Sequence, residues 1–139
     1  IVQYPITVDE FLNIGSQYYK IFVEIVCETY IEGNSFFPTE KTFRPIALKT
    51  PFITNGPVGF LKKLKQLGFK TFEKWWSEDY DNYSSVTRIE KIFDIVDYIC
   101  NLNQKELNTI YDDMDCVLEH NRCWLNKITN EDFKRVFKY

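Results

Sequence analysis

Hydrophobic and polar positions change their spacing along the chain, and the changes predict alternating strands and helices up to about residue 84. The β-branched and aromatic residues of 21–28 are typical of a largely buried strand. Shorter runs predict further strands at 1–6, 51–54 and 69–72. Apolar residues at helical spacing predict helices at 9–19, 39–50 and 58–67, the last ended by Gly68. Such alternation is typical of a parallel α/β sheet.

From residue 85 onward the pattern is entirely helical. Two long apolar stripes predict helices at 85–100 and 107–125, separated by a break at 101–103, and a final short helix spans 131–139. The predicted fold is therefore α/β: a small parallel sheet of three or four strands flanked by helices, with a helical C-terminal extension. We expect one domain over 1–139, with an α/β core at 1–84 and the extension at 85–139.

Composition narrows the function classes. A chain of 139 residues with 45% hydrophobic residues can bury one core, and a net charge of -3 argues against a nucleic-acid binder. No apolar run reaches the length of a membrane span, so a cytoplasmic protein is expected, in the host cytoplasm or the virion if the source is viral. The chain begins at Ile1, which suggests a processed chain or a fragment. Four cysteines without a Cys-x-x-Cys pair are expected to be free, buried thiols: Cys27, Cys100, Cys116 and Cys123.

Charged residues cluster where the first strand ends and the next helix begins. Glu28 closes the strand at 21–28, and Thr39 is a suitable N-cap for a helix that starts with Glu40 and Lys41. Because ligands of parallel α/β units bind at the carboxyl edge of the sheet, we expect these side chains to meet there. A lysine beside a helix N-terminus favours an anion, while a carboxylate can accept hydrogen bonds from vicinal hydroxyls.

Three segments of this region resemble a known family. They are Cys27-Glu28-Thr29, the run Phe36-Phe-Pro-Thr-Glu-Lys-Thr-Phe-Arg-Pro45, and Thr50-Pro-Phe-Ile53. Together they are similar to the nucleotide-sugar-binding half of GT-B glycosyltransferases, and in pattern to the α-1,3-fucosyltransferases. The run at 59–72, with Glu78, Tyr80 and Arg88, also looks like uncharacterised viral and bacterial proteins. The strong similarity covers residues 21–56.

The resemblance implies a Rossmann-like donor-binding half with a nucleotide sugar as ligand. It implies that Glu40 holds the ribose hydroxyls and Lys41 the diphosphate, with Arg44 as a second phosphate contact. Asn34 corresponds to a family asparagine that directly follows the first glutamate, but here it lies six residues beyond Glu28. No cofactor or metal is implied. The general base of the family lies in an N-terminal half that this chain lacks, so a missing domain is an expected partner and no catalytic residue is assigned.

Other hypotheses stay open beside this one. The chain could be a non-catalytic structural or interaction protein, of viral type, that retains the fold. Trp75 and Trp76 could stack on a sugar or a base, although packing is the commoner role of tryptophan. We expect an ion pair between the acidic segment 78–81 and Arg88. A zinc site is a weaker alternative, since four possible ligands share one helix face: Asp112, Cys116, His120 and Cys123.

Overall fold

The computed structural model describes residues 16–33 and 35–136. Two strands and five α-helices follow one another in this part of the chain, with a 3₁₀ helix before the third α-helix. They are β1 (Glu24–Cys27), α1 (Glu40–Ala47), β2 (Phe52–Asn55), α2 (Phe60–Gln66), the 3₁₀ helix (Asp79–Asn82), α3 (Ser85–Cys100), α4 (Gln104–Leu125) and α5 (Asn130–Val136). Helix therefore dominates the fold.

The sheet consists of β1 and β2, which pair in parallel with Glu24 opposite Phe52 and Cys27 opposite Asn55. The helix α1 connects the two strands, as the βαβ reading of residues 21–54 predicts. In β2 the residues Phe52, Ile53 and Thr54 are all buried. In β1 the expectation of a largely buried strand is wrong, because only Val26 is buried within the strand while its neighbours on the opposite face are exposed.

The predicted architecture, a small parallel sheet of three or four strands flanked by helices as in half of a Rossmann-like GT-B enzyme, is wrong for the described residues, which are mostly helical and form a two-stranded sheet. Residues 69–72 are not a strand because side chains satisfy their backbone groups. Lys70 donates its amide to Asn121 Oδ1 at 2.8 Å and accepts from Asn121 Nδ2 at 2.9 Å. The amide of Phe72 donates to Glu78 Oε1 at 2.6 Å. Within the described residues the segment has no strand partner. The edge strand predicted at 1–6, and most of the helix predicted at 9–19, lie outside the described residues.

The core lies between the sheet and the helices. Its aromatic centre includes Phe52 and Phe72, whose rings meet edge to face at 5.2 Å. The apolar stripes of α3 and α4 contribute Ile92, Ile95 and Met114, all of which are buried. Burial of these stripes explains why the helix predictions for the C-terminal half are confirmed.

One local prediction is confirmed by backbone geometry. Gly68 follows α2 with φ of 98°, the left-handed conformation that ends a helix. The structure also shows a cap that was not predicted, because Asn103, within the predicted break at 101–103, caps α4 through a capping box with Glu106. The four cysteines are free as expected, but all four are exposed, so their predicted burial is wrong. Cys27, for example, alternates with buried Val26 along β1 and therefore faces outward.

No helix within residues 16–33 and 35–136 is both long enough and apolar enough to cross a membrane.

Candidate functional site

Glu28 lies directly after β1 and joins that strand to the start of α1. Its carboxylate is buried and accepts three hydrogen bonds. The Thr39 amide donates to Oε1 at 3.0 Å, the Thr39 hydroxyl to Oε2 at 2.6 Å, and the Thr42 hydroxyl to Oε1 at 2.6 Å. Only 5% of the residue is exposed. Glu28 therefore holds the first turn of α1 against the carboxyl end of the sheet, and protein donors occupy both of its oxygens.

The sequence places two threonines where they can bind one carboxylate. Thr39 and Thr42 are three residues apart, so their side chains lie on the same side of the first helical turn. Thr39 is also the N-cap, since its hydroxyl accepts from the amide of Lys41 at 3.3 Å. Sequence reasoning identified the cap but missed Thr42. The Thr-x-x-Thr spacing after a glutamate at a strand end was the available signal.

Glu40 and Lys41 follow the cap and begin α1 as predicted. Glu40 is exposed, and it forms no hydrogen bond or ion pair within residues 16–33 and 35–136. Lys41 is half-buried, and its Nζ donates to the hydroxyl of Thr29 at 3.2 Å. No carboxylate of the described chain forms an ion pair with this lysine, unlike Lys49, Lys65 and Lys91. The ammonium of Lys41 therefore lies at the sheet edge together with the carboxylates of Glu28 and Glu40.

Arg44 does not join this group. It forms an ion pair with Glu24, at the start of β1, and Glu24 also accepts from the Tyr18 hydroxyl at 2.6 Å. Burial and the neighbouring Glu24 carboxylate raise the pKa of Tyr18 to about 12. Since Glu24 and Glu28 stand at opposite ends of a strand, their positions are roughly 13 Å apart. The structure therefore brings together Glu28, Thr39, Glu40 and Lys41, and places Arg44 elsewhere.

Asn34, the remaining predicted site residue, lies outside the described residues. The loop before it is nevertheless connected to α3. Arg88 is 2% exposed and donates from Nη1 to the carbonyl of Ile31 at 3.3 Å and from Nε to that of Tyr80 at 3.3 Å. Its Nη2 is buried and has no hydrogen-bond partner among the described residues, and burial lowers the pKa of this guanidinium. Arg88 thus joins the loop at Ile31 to the 3₁₀ helix at Tyr80.

The expected ion pair between segment 78–81 and α3 forms with a different basic residue. Asp79 pairs with Lys91 at 2.8 Å, and this partner lowers the pKa of Asp79. Asp81 instead accepts from the amides of Leu61 and Lys62 at 3.0 and 3.2 Å, which caps α2. Arg88 binds backbone carbonyls, as described above. These contacts fix the segment before α3 to both the core and α2.

Two of the four residues of the zinc hypothesis form hydrogen bonds within the chain. His120 Nε2 lies 2.9 Å from the carbonyl oxygen of Gly68, and Cys123 donates to Glu119. Among the residues that the structure describes, no three His, Cys, Asp or Glu side chains are grouped as metal ligands.

Comparison of the chain with models of protein families, with curated proteins and with solved structures finds no match.

Proposed function

We propose that the carboxyl edge of the two-stranded sheet binds a nucleotide sugar, and that the chain is the donor-binding part of a glycosyltransferase. Lys41 would contact the diphosphate and Glu40 the ribose hydroxyls. The observation that carries this proposal is the pair of charged groups at the start of α1. Both follow a firmly anchored N-cap, and neither forms an ion pair within the described chain.

The physical support is that different residues at this edge hold the helix and carry the unpaired charges. Glu28, Thr39 and Thr42 hold the helix N-terminus in place, so the side chains that follow need not serve that purpose. The amides of Thr39, Lys41 and Thr42 are already paired within the chain, so the Lys41 ammonium would be the group that contacts a diphosphate, and an unpaired carboxylate suits a diol. In glycosyl transfer the same cation would stabilise the charge that builds on the departing diphosphate. A general base for the acceptor hydroxyl would come from another domain, as the family resemblance implies.

The test measures binding of GDP, UDP and inorganic pyrophosphate to the whole chain by calorimetry and thermal shift. We expect at least one nucleoside diphosphate to raise the melting temperature, since a ligand at roughly 100 times its Kd stabilises the folded state by about 2.7 kcal/mol. Lys41→Ala should weaken binding of nucleotide and pyrophosphate alike by about tenfold or more. Glu40→Ala should weaken only the nucleotide, because pyrophosphate has no ribose.

Lys62→Ala is the matched control. Lys62 is an exposed lysine at the start of α2, and its side chain forms no ion pair within residues 16–33 and 35–136. If Lys62→Ala weakens binding as much as Lys41→Ala, the anion is attracted by general surface charge and the proposal is wrong. Absence of binding by both nucleotides would also contradict it.

A second candidate function is a non-catalytic interaction protein, and one feature of α3 favours it. Val86, Ile89 and Phe93 lie three and four residues apart on this helix and are 66%, 39% and 60% exposed. Residues at this spacing form one helix face, and an exposed apolar face marks a contact surface. A stable assembly that Phe93→Glu dissociates, together with no response to nucleotide, would favour this function over the first.

A further inference from the structure

The helix α3 carries an apolar stripe along one side. Its members are separated by three and four residues in alternation, and they are Val86, Ile89, Phe93, Val96 and Cys100. Four of the five are exposed, with Val86 at 66% and Phe93 at 60%, and only Val96 is half-buried. A mean spacing of about 3.5 residues is that of the seam along which two helices pack side by side. The stripe is about 21 Å long and has the pattern of a helix-packing surface that is left open.

A row of carboxylates runs beside this stripe. Glu90 and Asp97 each follow a stripe residue directly, and Asp94 lies between them at helical spacing. All three are exposed, and none forms a side-chain hydrogen bond or an ion pair in the described part of the chain. The two basic residues of α3 do not neutralise the row, because Lys91 is ion-paired with the 3₁₀ helix and Arg88 is buried.

The position of Asp97 indicates that the row does not stabilise the helix itself. Asp97 lies in the last turn of α3, where the free carbonyl groups of a helix create negative potential. A carboxylate is unfavourable at that end, and it becomes favourable when a cation binds beside it. The row and the stripe therefore make two separate demands on a partner, which are positive charge and an apolar helix face.

We propose that the stripe and the acidic row together bind an amphipathic helix of another protein, one with lysine or arginine residues along the border of its apolar face. The stripe would pack against that apolar face, and the basic side chains would pair with Glu90, Asp94 and Asp97. In paired helices the charges that border the seam select the partner, and here every unpaired charge on that border is negative.

A second copy of this chain does not meet both demands. In an antiparallel pair of α3 helices the two acidic rows would face each other. In a parallel pair each row would face the core side of the other helix, where Arg88 is buried. Neither arrangement supplies an exposed cation. The inference rests on the interaction role proposed above for α3, and it is independent of nucleotide binding at the start of α1.

The test uses a synthetic peptide of three heptads, with leucine at the seam positions and lysine at the positions that border them. A second peptide has glutamate in place of each lysine. Binding of each fluorescein-labelled peptide to the whole chain is measured by fluorescence anisotropy. We expect the lysine peptide to bind at least about tenfold more tightly than the glutamate peptide, and to bind more weakly as salt is added.

Two pairs of variants locate the contact. Phe93→Ala should weaken binding of the lysine peptide by about tenfold or more, whereas Tyr98→Ala, at an exposed aromatic on another side of α3, should not. Asp97→Lys should weaken it by about fivefold or more, whereas Asp112→Lys, at an exposed aspartate of α4, should have little effect. Melting temperatures close to that of the wild-type chain show that the variants are folded.

Sedimentation of the chain alone separates the remaining outcomes. The inference is overturned if the two peptides bind equally well, if neither binds, or if Asp112→Lys weakens binding as much as Asp97→Lys. A chain that binds no peptide but forms an assembly that Phe93→Glu dissociates would retain the interaction role of α3 and assign the surface to a second copy. A chain that neither binds peptide nor assembles would contradict the interaction role as well.

Discussion

Removal of the Glu28 carboxylate should destabilise the whole fold, although the residue was first identified as a candidate ligand contact. Three donors converge on it, from the amide and hydroxyl of Thr39 and the hydroxyl of Thr42. Thr42 is fully buried, so water cannot replace the lost acceptor without rearrangement. In Glu28→Ala these donors lose their partner, and the N-terminal turn of α1 loses its attachment to β1.

The size of the effect follows from the hydrogen bonds. Each bond to a charged acceptor contributes about 1.5–3 kcal/mol, and the three share one carboxylate, so their losses do not add fully. We expect Glu28→Ala to lower the free energy of unfolding by about 3–5 kcal/mol, a large part of the 5–15 kcal/mol typical of a domain. Glu28→Gln keeps the shape and one acceptor oxygen, and should lower it by about 1.5–3 kcal/mol.

Urea unfolding followed by tryptophan fluorescence measures these differences, provided that the slope of the transition is unchanged. Glu40→Gln is the control, because this neighbouring glutamate is exposed and should change stability by about 0.5 kcal/mol or less. If Glu28→Ala does not fold, the comparison of Glu28→Gln with the wild-type chain tests the prediction. A Glu28→Gln chain as stable as the control would show that the three hydrogen bonds do not hold α1 in place.

Three further predictions concern other parts of the fold. Asn121→Ala removes both side-chain hydrogen bonds to the backbone of Lys70, and urea unfolding should show that the free energy of unfolding falls by about 2–4 kcal/mol. Gly68→Ala should lower the free energy of unfolding by about 2–4 kcal/mol, because φ is positive at Gly68 and a Cβ there would lie 2.8 Å from the Trp124 side chain. Gly33 also has positive φ, but a Cβ there would meet open space, so Gly33→Ala should lower the free energy of unfolding by only about 1–2 kcal/mol. A hydrogen bond from Arg122 is the main cause that lowers the pKa of Glu119 to about 2. The ionised Glu119 should therefore stabilise the folded state above pH 4.5, and this contribution should be lost as the pH falls towards 2. In Glu119→Gln, stability should fall less steeply over that pH range, as measured by unfolding at each pH.

Helices in the C-terminal half, and α2 before it, could be predicted from the sequence because each carries its own signals. The apolar stripe of α4 begins after Asn103, whose side chain caps the helix, and α2 ends where Gly68 adopts positive φ. Periodicity, caps and terminal glycines are local properties of the chain. They require no knowledge of what the helix packs against, so the structure confirms them.

The third strand could not be excluded in the same way. The segment 69–72 is short and alternates, and this pattern is shared by true strands and by extended segments with other partners. Its backbone is satisfied by Asn121 from α4 and by Glu78, which are 51 and 6 residues away from the groups they bind. The Asn121 side-chain amide takes the hydrogen bonds that a neighbouring strand would otherwise supply to Lys70. This contact depends on the tertiary fold, so the local sequence of the segment could not predict it.

The candidate site was predictable in position but not in the role of each residue. Both a ligand-binding carboxylate and a structural one can follow a strand, and sequence alone treats them alike. The hydrogen bond from Thr42 shows that Glu28 has a structural role, and the ion pair with Glu24 shows the same for Arg44. In each case the partner lies 14 or 20 residues away, so the distinction depends on how β1 and α1 pack.

This division of roles determines which substitutions can report on function. The structural contacts of Glu28, Thr39 and Arg44 account for these residues without any ligand, so loss of nucleotide binding in their variants would follow from a displaced helix as readily as from a lost contact. Glu40 and Lys41 hold no comparable position in the fold. Variants of these two residues that keep the wild-type melting temperature therefore separate binding from folding. The distinct responses expected from nucleotide and pyrophosphate then assign the two charges to the two halves of the ligand.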